Sequence, residues 1–321
     1  MYKIEGRISK IESINHYVLD DTGKSIRCTL RGKFQKEYNL KKDKLYTLDV
    51  ATVGDFVKFE LNEDGTGVIF EVLERRNYLS RKAPRIKGAS YRGERLEQII
   101  AANLDNLIIV TSIRKPQFNN KSVDRIIVAG ESSHINVHLV INKVDLHNDG
   151  EADEWKQFYE EIGYKVYLIS VKEQAGDVEL LGEALKNNVN IFWGNSGVGK
   201  SSLLNLLYPE LNLKVQSISD YSNKGKHTTV TSLLTMVENN TFVIDTPGVR
   251  EIDPYGITKE NLNHYFIDFK DYLNDCKFNT CTHQHEPGCS IMEAVESGKI
   301  TLERYESYLN MLESIEDDLY F

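Results

Sequence analysis

Long hydrophobic runs are missing. No stretch of eighteen apolar residues occurs, which argues against a transmembrane helix, and the amino end MYKIEGRISKIESINHYVLD lacks the basic, apolar, small-residue order of a signal peptide. A cytoplasmic protein without membrane contact is expected. Cysteine is also scarce. Of the four, Cys276, Cys281 and Cys289 fall within fourteen residues while Cys28 stands far away, a pattern that suits a metal site better than a disulfide framework. Positive charge is in deficit: 39 Lys and Arg against 48 Asp and Glu leave a formal charge of −9, which excludes a whole-surface nucleic-acid binder and leaves only local basic patches. Internal repeats and low-complexity tracts are absent. What remains is a chain of 321 residues, 40% hydrophobic, enough for two or three domains with proper cores.

Residues 1–73 read as five short strands of alternating polarity, YKIEGRIS, HYVLD, SIRCTL, VKFEL and GVIFEVL, with the last two joined through the turn NEDGTG. They predict a small barrel, of OB type or SH3-like. Residues 74–96 read as a basic linker. From Arg75 to Arg95 they carry Arg75, Arg76, Arg81, Lys82, Arg85, Lys87, Arg92 and Arg95 against the single Glu94. A solvated loop explains such charge equally well in isolation, and the neighbouring barrel tips the reading toward nucleic acid. Over 97–256, apolar strands alternate with amphipathic helices, which predicts a mostly parallel sheet covered on both faces. Residues 257–321 read as helical around the cysteine cluster and end in the acidic SIEDDLYF.

The stretch GNSGVGKSS satisfies G-x-x-x-x-G-K-[ST], directly after the apolar VNIFW and before the helical SLLNLLY, the context a phosphate-binding loop requires. Its residues Gly194, Asn195, Ser196, Gly197, Val198, Gly199, Lys200, Ser201 and Ser202 would wrap a polyphosphate. The glycines let successive amides point inward, and the following helix aims its positive end at the anion. Lys200 would reach the outer phosphates, and Ser201 would ligate Mg²⁺. NKVD follows the strand VHLVI, so Asn142, Lys143 and Asp145 sit at a strand's carboxyl end. Asp145 can accept from guanine N1–H and the exocyclic amine, whereas adenine N1 would face it with a lone pair. Asn142 is expected on the other edge of the base, with the stem of Lys143 over its face. Ser170 ends the next strand and is a candidate for a backbone or hydroxyl contact to guanine O6, with a plain strand-ending Ser as the alternative. In TFVIDTPG, Asp245 suits a magnesium-bound water and the Gly248 amide the γ-phosphate. KGKHTTVTS supplies Thr228 and Thr229, of which Thr229 is the preferred magnesium ligand.

Along the chain the order is base-reading, base-supporting, phosphate loop, first switch, second switch, a circular permutation of the usual GTPase order. A site made of loops at one sheet edge survives such rewiring if the old termini can be joined. The rewiring runs the second switch straight into the cysteine-bearing region. Nucleotide state, read through 246–256, is therefore expected to reposition residues 257–321 directly.

In that order NKVD, SVK, GNSGVGKSS, GKHTT and DTPGVRE, between a barrel and CKFNTCTHQHEPGC, closely resemble the ribosome small-subunit-dependent GTPase family, the circularly permuted assembly factors of bacterial 30S particles. The likeness spans essentially the whole chain. Lys226 replaces the family's usual Arg, and Val171 its commoner Ala. The resemblance implies a circularly permuted P-loop GTPase domain, an α/β fold, with an amino-terminal OB-fold barrel and a carboxyl-terminal α-helical zinc-binding domain. It also implies GTP hydrolysis to GDP stimulated by the 30S subunit in late subunit maturation, contact with 16S rRNA, and a monomer.

Position 249 is Val where Ras-type GTPases place the water-orienting Gln, so intrinsic turnover should be slow. His227 is the local candidate to hold the water; a switch-loop His touching RNA or solvent is the alternative. Cys276, Cys281 and Cys289 with one histidine can close a tetrahedral Zn²⁺ site. His283 and His285 both have suitable spacing, and the resemblance favours His283. Arg27, Arg31, Lys33, Lys36, Lys41, Lys42 and Lys44 give the front of the chain phosphate-binding charge, with Tyr78 and Tyr91 available for stacking. Two rival readings remain: a non-catalytic RNA-binding scaffold that uses nucleotide only to set its shape, and an ATP-using kinase, against which NKVD argues.

Overall fold

The computed structural model of the chain describes residues 3–32, 50–83, 97–146, 149–213, 232–238, 240–246 and 252–315. Strands β1 (Lys3–Glu12), β2 (Asn15–Leu19), β3 (Ser25–Leu30), β4 (Phe56–Leu61) and β5 (Gly67–Val72) close into a barrel in the order β1-β2-β3-β5-β4. Period-two alternation drives the closure. Ile8, Val18, Ile26, Cys28, Val57, Phe59 and Ile69 fill the interior, while Arg27, Lys58 and Glu60 stay outside. β3 and β5 pair in parallel, with Cys28 opposite Gly67, and this crossover is the OB-type order rather than the SH3-like one. Cys28 is a barrel core residue.

The segment expected as a basic linker opens instead with a strand. β6 (Tyr78–Lys82) pairs antiparallel with β7 (Glu97–Ala102). Dense charge hid one apolar residue: Leu79 is fully buried in the main core beside Ile100, Ala101 and Leu104, and that burial seats the ribbon.

The central sheet is built from β8 (Asn106–Ser112), helix α1 (Asn120–Ser132), β9 (Asn136–Asn142), α2 (Glu151–Ile162), β10 (Lys165–Ser170), β11 (Ala175–Gly176), α3 (Val178–Leu185), β12 (Val189–Trp193), α4 (Lys200–Leu207), β13 (Leu233–Glu238) and β14 (Thr241–Asp245). Its order is β11-β10-β9-β8-β12-β14-β13. The five inner strands are parallel, and β11 and β13 run antiparallel at the two edges. Near-continuous apolar strands such as LIIV and LVI suit burial on both faces. α1 and α2 cover one face through Val123, Ile127 and Tyr159. α3 and α4 cover the other through Leu181, Leu185, Leu203 and Leu204. Asn119 caps α1 by accepting from the Ser122 amide at 3.0 Å, and Gly163 ends α2 in a left-handed conformation. Parallel pairing puts the carboxyl ends of β8, β9, β10, β12 and β14 along one edge.

Beyond the sheet the chain makes short 3-10 turns at Leu262–Tyr265, Ile267–Phe269 and Leu273–Asp275, then helices α5 (Ser290–Glu296) and α6 (Leu302–Ser314). Phe266, Phe269, Tyr308 and Met311 form their core with Cys281 and Cys289. This region sits on α1 through buried charge. The fully buried Arg304 donates to Asp124 at 2.6 Å and to Asp268 at 3.1 Å, and lies 4.3 Å from the centroid of the Phe266 ring. Tyr159 on α2 donates to the same Asp124 at 3.1 Å. No helix among the described residues is long and apolar enough to cross a membrane.

Candidate functional site: a phosphate loop, a base-recognition corner and a thiolate cluster

β12 delivers the chain to Gly194, where an added Cβ would meet the Val110 carbonyl oxygen at 2.2 Å, so the loop can pass β8 only with glycine there. Gly197 and Gly199 take φ of 82° and 96°. α4 then starts at Lys200, with Ser201 and Ser202 in its first turn. Asn195 and Ser196 are exposed at the loop tip, while Val198 is buried beneath it. The Lys200 ammonium stands 3.0 Å from Asp245 Oδ1 and donates to the Thr246 carbonyl at 3.0 Å. Lys200 and Asp245 therefore meet beside the loop, with Ser201 in the adjoining helical turn, and the donor types fit a magnesium polyphosphate: an ammonium for phosphate, a hydroxyl and a carboxylate for the ion and its waters. His227, Thr228, Thr229 and Gly248 lie outside the described residues.

Asn142, at the end of β9, is buried, and both ends of its amide are occupied by protein. Its Nδ2 donates to the Val198 carbonyl at 2.8 Å, and its Oδ1 accepts from the Val171 amide at 3.2 Å. Asn142 thus ties the phosphate loop to the base-supporting loop, and its amide carries a second N–H besides the one given to Val198. Lys143 has a φ of 62° and sends its ammonium to the carbonyls of Lys115 and Gly197, with burial holding its pKa below the ordinary lysine value. Ser170 is also buried, and its hydroxyl donates to Asp145 Oδ1 at 2.6 Å while accepting from the Glu173 amide at 3.2 Å. The Ser170 hydroxyl thereby orients the carboxylate. Asp145 itself is half-buried at the pocket edge. The loop after β8, whose Ile113 amide donates to the Asn142 carbonyl at 3.1 Å, escaped sequence reading because no motif marks it.

The second constellation is compact. One donor atom each from Cys276, Cys281, His283 and Cys289 lies within 4.8 Å of the others, with His283 Nδ1 3.3 Å from Cys289 Sγ and 3.6 Å from Cys276 Sγ. His283 is buried in the cluster, and His285 is exposed outside it. Burial pushes the Cys281 thiol up to about 12 and holds His283 below its ordinary value, so thiolates side by side need a cation between them and the imidazole arrives neutral. His283 Nε2 lies 2.9 Å from the Asn263 amide nitrogen, while the buried Asn263 Oδ1 has no partner. Turning that amide over lets Nε2–H donate to Oδ1, which resolves the orphan and leaves Nδ1 with its lone pair toward the cysteines. Three thiolates and one imidazole, so oriented, fit tetrahedral Zn²⁺. Tyr305 and Tyr308 pin the intervening loop by donating to the carbonyls of His283 and Thr282 at 2.6 and 2.8 Å.

Of the basic residues at the front of the chain, Arg31 pairs with Glu60 at 2.7 Å on the barrel surface and Arg27 is exposed beside it. Lys33, Lys36, Lys41, Lys42, Lys44 and Tyr91 lie outside the described residues.

A phosphate loop, a carboxylate-bearing base corner and a magnesium-side carboxylate, assembled on a parallel sheet in rewired chain order, define a circularly permuted P-loop GTPase. Comparison with known proteins places it further. Residues 72–255 match the model of the RsgA GTPase family, and residues 5–69 that of the RsgA N-terminal domain. The chain is 36% identical over 320 residues to "Small ribosomal subunit biogenesis GTPase RsgA 2" of Bacteroides thetaiotaomicron, covering 99% of both chains. It is 37% identical to the protein named without the numeral in Chlorobaculum tepidum, over 97% of this chain and 98% of that one. Among solved structures it is similar to YjeQ from Thermotoga maritima (TM-score 0.75, 32% identity, 98% of each chain) and to YloQ, described as a circularly permuted GTPase (TM-score 0.70, 29% identity, 98% and 95%). The chain belongs to the RsgA GTPase family.

Proposed function

We propose that this GTPase acts in the late maturation of the small ribosomal subunit, with the 30S particle as the partner that accelerates its hydrolysis of GTP to GDP and phosphate. The carrying observation is the pairing of Ser170 with Asp145 beside the phosphate loop, which presets a carboxylate for the two donors on guanine's edge. The names of the full-length relatives support the ribosomal assignment. Mg²⁺ enters with the nucleotide on Ser201, Asp245 and Thr229, and the Gly248 amide meets the γ-phosphate. Val249 offers no side-chain hydrogen bond, so His227 holds the attacking water once the partner orders it. One structural Zn²⁺ on Cys276, Cys281, His283 and Cys289 shapes a surface for the particle, and the basic front of the chain meets 16S rRNA phosphates. The protein works as a cytoplasmic monomer.

The test is the GTP hydrolysis rate against added 30S, 50S and 70S particles. Acceleration by 30S alone is expected, and equal or absent acceleration overturns the reading. Replacing His227 by Ala should abolish the stimulated rate while leaving GDP binding intact; an unchanged rate removes its catalytic role.

A further inference from the structure

The rewired order suggests that the zinc region, covalently next to the second switch, receives the nucleotide signal. The structure anchors that region on α1. Arg304 on α6 is fully buried against Asp124 on α1 and Asp268. Moving it would separate a buried cation from its carboxylates, which is costly.

The barrel rests on a different element. β13 follows the first-switch segment directly and β14 runs directly into the second, so each end of this hairpin is attached to a switch. The hairpin is antiparallel, pairs Leu233 with Asp245 at the nucleotide end and Met236 with Phe242 further along, and changes register between Met236 and Glu238. Met236 and Phe242, opposite one another, share a face. Both touch the barrel. The Arg7 guanidinium on β1 lies between two rings, 5.0 Å from the centroid of Phe56 in the barrel and 5.3 Å from that of Phe242 in the hairpin. Gly23, in the β2–β3 turn, lies so close to Met236 that an added Cβ would stand 2.8 Å from the Met236 methyl. Arg7 is buried and donates to the carbonyls of Asn103 at 2.7 Å and Gly54 at 3.2 Å. Its charge is thus solvated by carbonyl groups and ring faces, and one of those faces belongs to the element that links the switches.

We infer that the β13–β14 hairpin carries nucleotide state to the barrel, with the contact of Arg7 on Phe242 as the joint, while the zinc region stays fixed to α1. γ-Phosphate contacts order GTPase switch segments, and their release frees them. Any such change pulls on both ends of the hairpin. Because β13 is an edge strand bonded on one side only to β14, the hairpin has a neighbour, β12, on one flank alone. A shift of Phe242 takes the Arg7 ring sandwich with it, and the barrel follows.

Hydrogen exchange on the full chain, with GDP and with a non-hydrolysable GTP analogue in the presence of Mg²⁺, tests this without any ribosome. Barrel peptides covering 16–24 and 51–57 should differ between the two states by about fivefold in exchange rate, the factor expected from gaining or losing one cation–π contact, and α6 peptides should not differ. In Phe242→Leu the barrel difference should vanish while GDP and analogue affinities stay within about twofold, since the leucine keeps apolar bulk but removes the ring face. Arg7→Met is the second variant and should behave alike. Identical barrel exchange with the two nucleotides in the unmodified protein overturns the inference, as does a difference that survives in both variants.

Discussion

The Ser170 hydroxyl donates to Asp145 Oδ1 across 2.6 Å, joining the ends of β10 and β9 at the base corner. A carboxylate held from one side loses little orientational freedom when guanine engages it from the other. Ser170→Ala leaves the carboxylate free to turn. GDP affinity should fall by about fivefold to tenfold, the size of one charge-assisted hydrogen bond, with no gain in ATP binding. Titration with a fluorescent GDP analogue against ATP competition measures both.

Gly199 combines a φ of 96° with an added Cβ that would lie 2.4 Å from the Asn142 amide nitrogen. Gly199→Ala therefore strains the backbone and pushes on the bridge that Asn142 makes between Val198 and Val171. Both the phosphate loop and the base-supporting loop are disturbed together. The expected result is loss of GDP and GTP binding by at least tenfold with the zinc content unchanged, read by calorimetry and metal analysis.

His283 and His285 separate cleanly in space, one buried in the thiol cluster and the other outside it. His285→Ala should retain one zinc per chain. His283→Ala should lose it and expose residues 262–300 to proteolysis. Asn263→Leu, which removes the partner of His283 Nε2, should weaken zinc binding by roughly 10- to 100-fold without touching a ligand. Competition with a chromogenic chelator reports all three.

Arg304 and Asp124 form a fully buried pair between α6 and α1. Arg304→Met alone strands the Asp124 carboxylate in the interior, and a loss of about 3–5 kcal/mol of unfolding free energy is expected. Asp124→Leu combined with Arg304→Met removes the buried pair and should recover part of that loss, since Asp268 and the Tyr159 hydroxyl still lose a partner. Urea denaturation of the singles and the double closes the cycle; a double no better than the singles contradicts the argument.

The parts legible in the sequence are those whose neighbours in space are also neighbours in the chain. The loop from Gly194 to Ser201 carries its own strand and helix, and NKVD sits on the strand that exposes it, so both were readable from spacing alone. Barrel strands were readable because one face is apolar at period two. What stayed hidden depends on long-range partners. That Asn142 bridges two loops shows only once Val198 and Val171 are placed beside it. The bond from the Ser170 hydroxyl to Asp145 likewise shows only once β10 is laid beside β9. Tyr78–Lys82 reads as linker because a strand with a single fully buried residue, Leu79, has too weak a period to stand out among arginines. Arg304 is one arginine among the charges of an amphipathic helix, and nothing local distinguishes it from its exposed neighbours.

His138 gives the fold an acid-sensitive element apart from both sites. It lies on β9, buried against Tyr167 of β10, whose hydroxyl stands 3.2 Å from its Nδ1 with the rings stacked at 5.9 Å. Burial, helped by the charge of Lys165, lowers its pKa to about 4, so the folded chain holds it neutral. In the unfolded chain it titrates near the ordinary value of about 6.5. Between those two values the unfolded state binds a proton that the folded state does not, so stability rises with pH across that window. The contribution is complete above about pH 6.5 and is lost as pH falls toward 4. His138→Asn cannot take up that proton. The slope of unfolding free energy against pH between 4 and 6.5 should flatten by the equivalent of about one proton in the variant. Acid release of zinc contributes to both proteins and cancels in the difference, and equal slopes would mean that His138 is protonated in the folded state as readily as in the unfolded one.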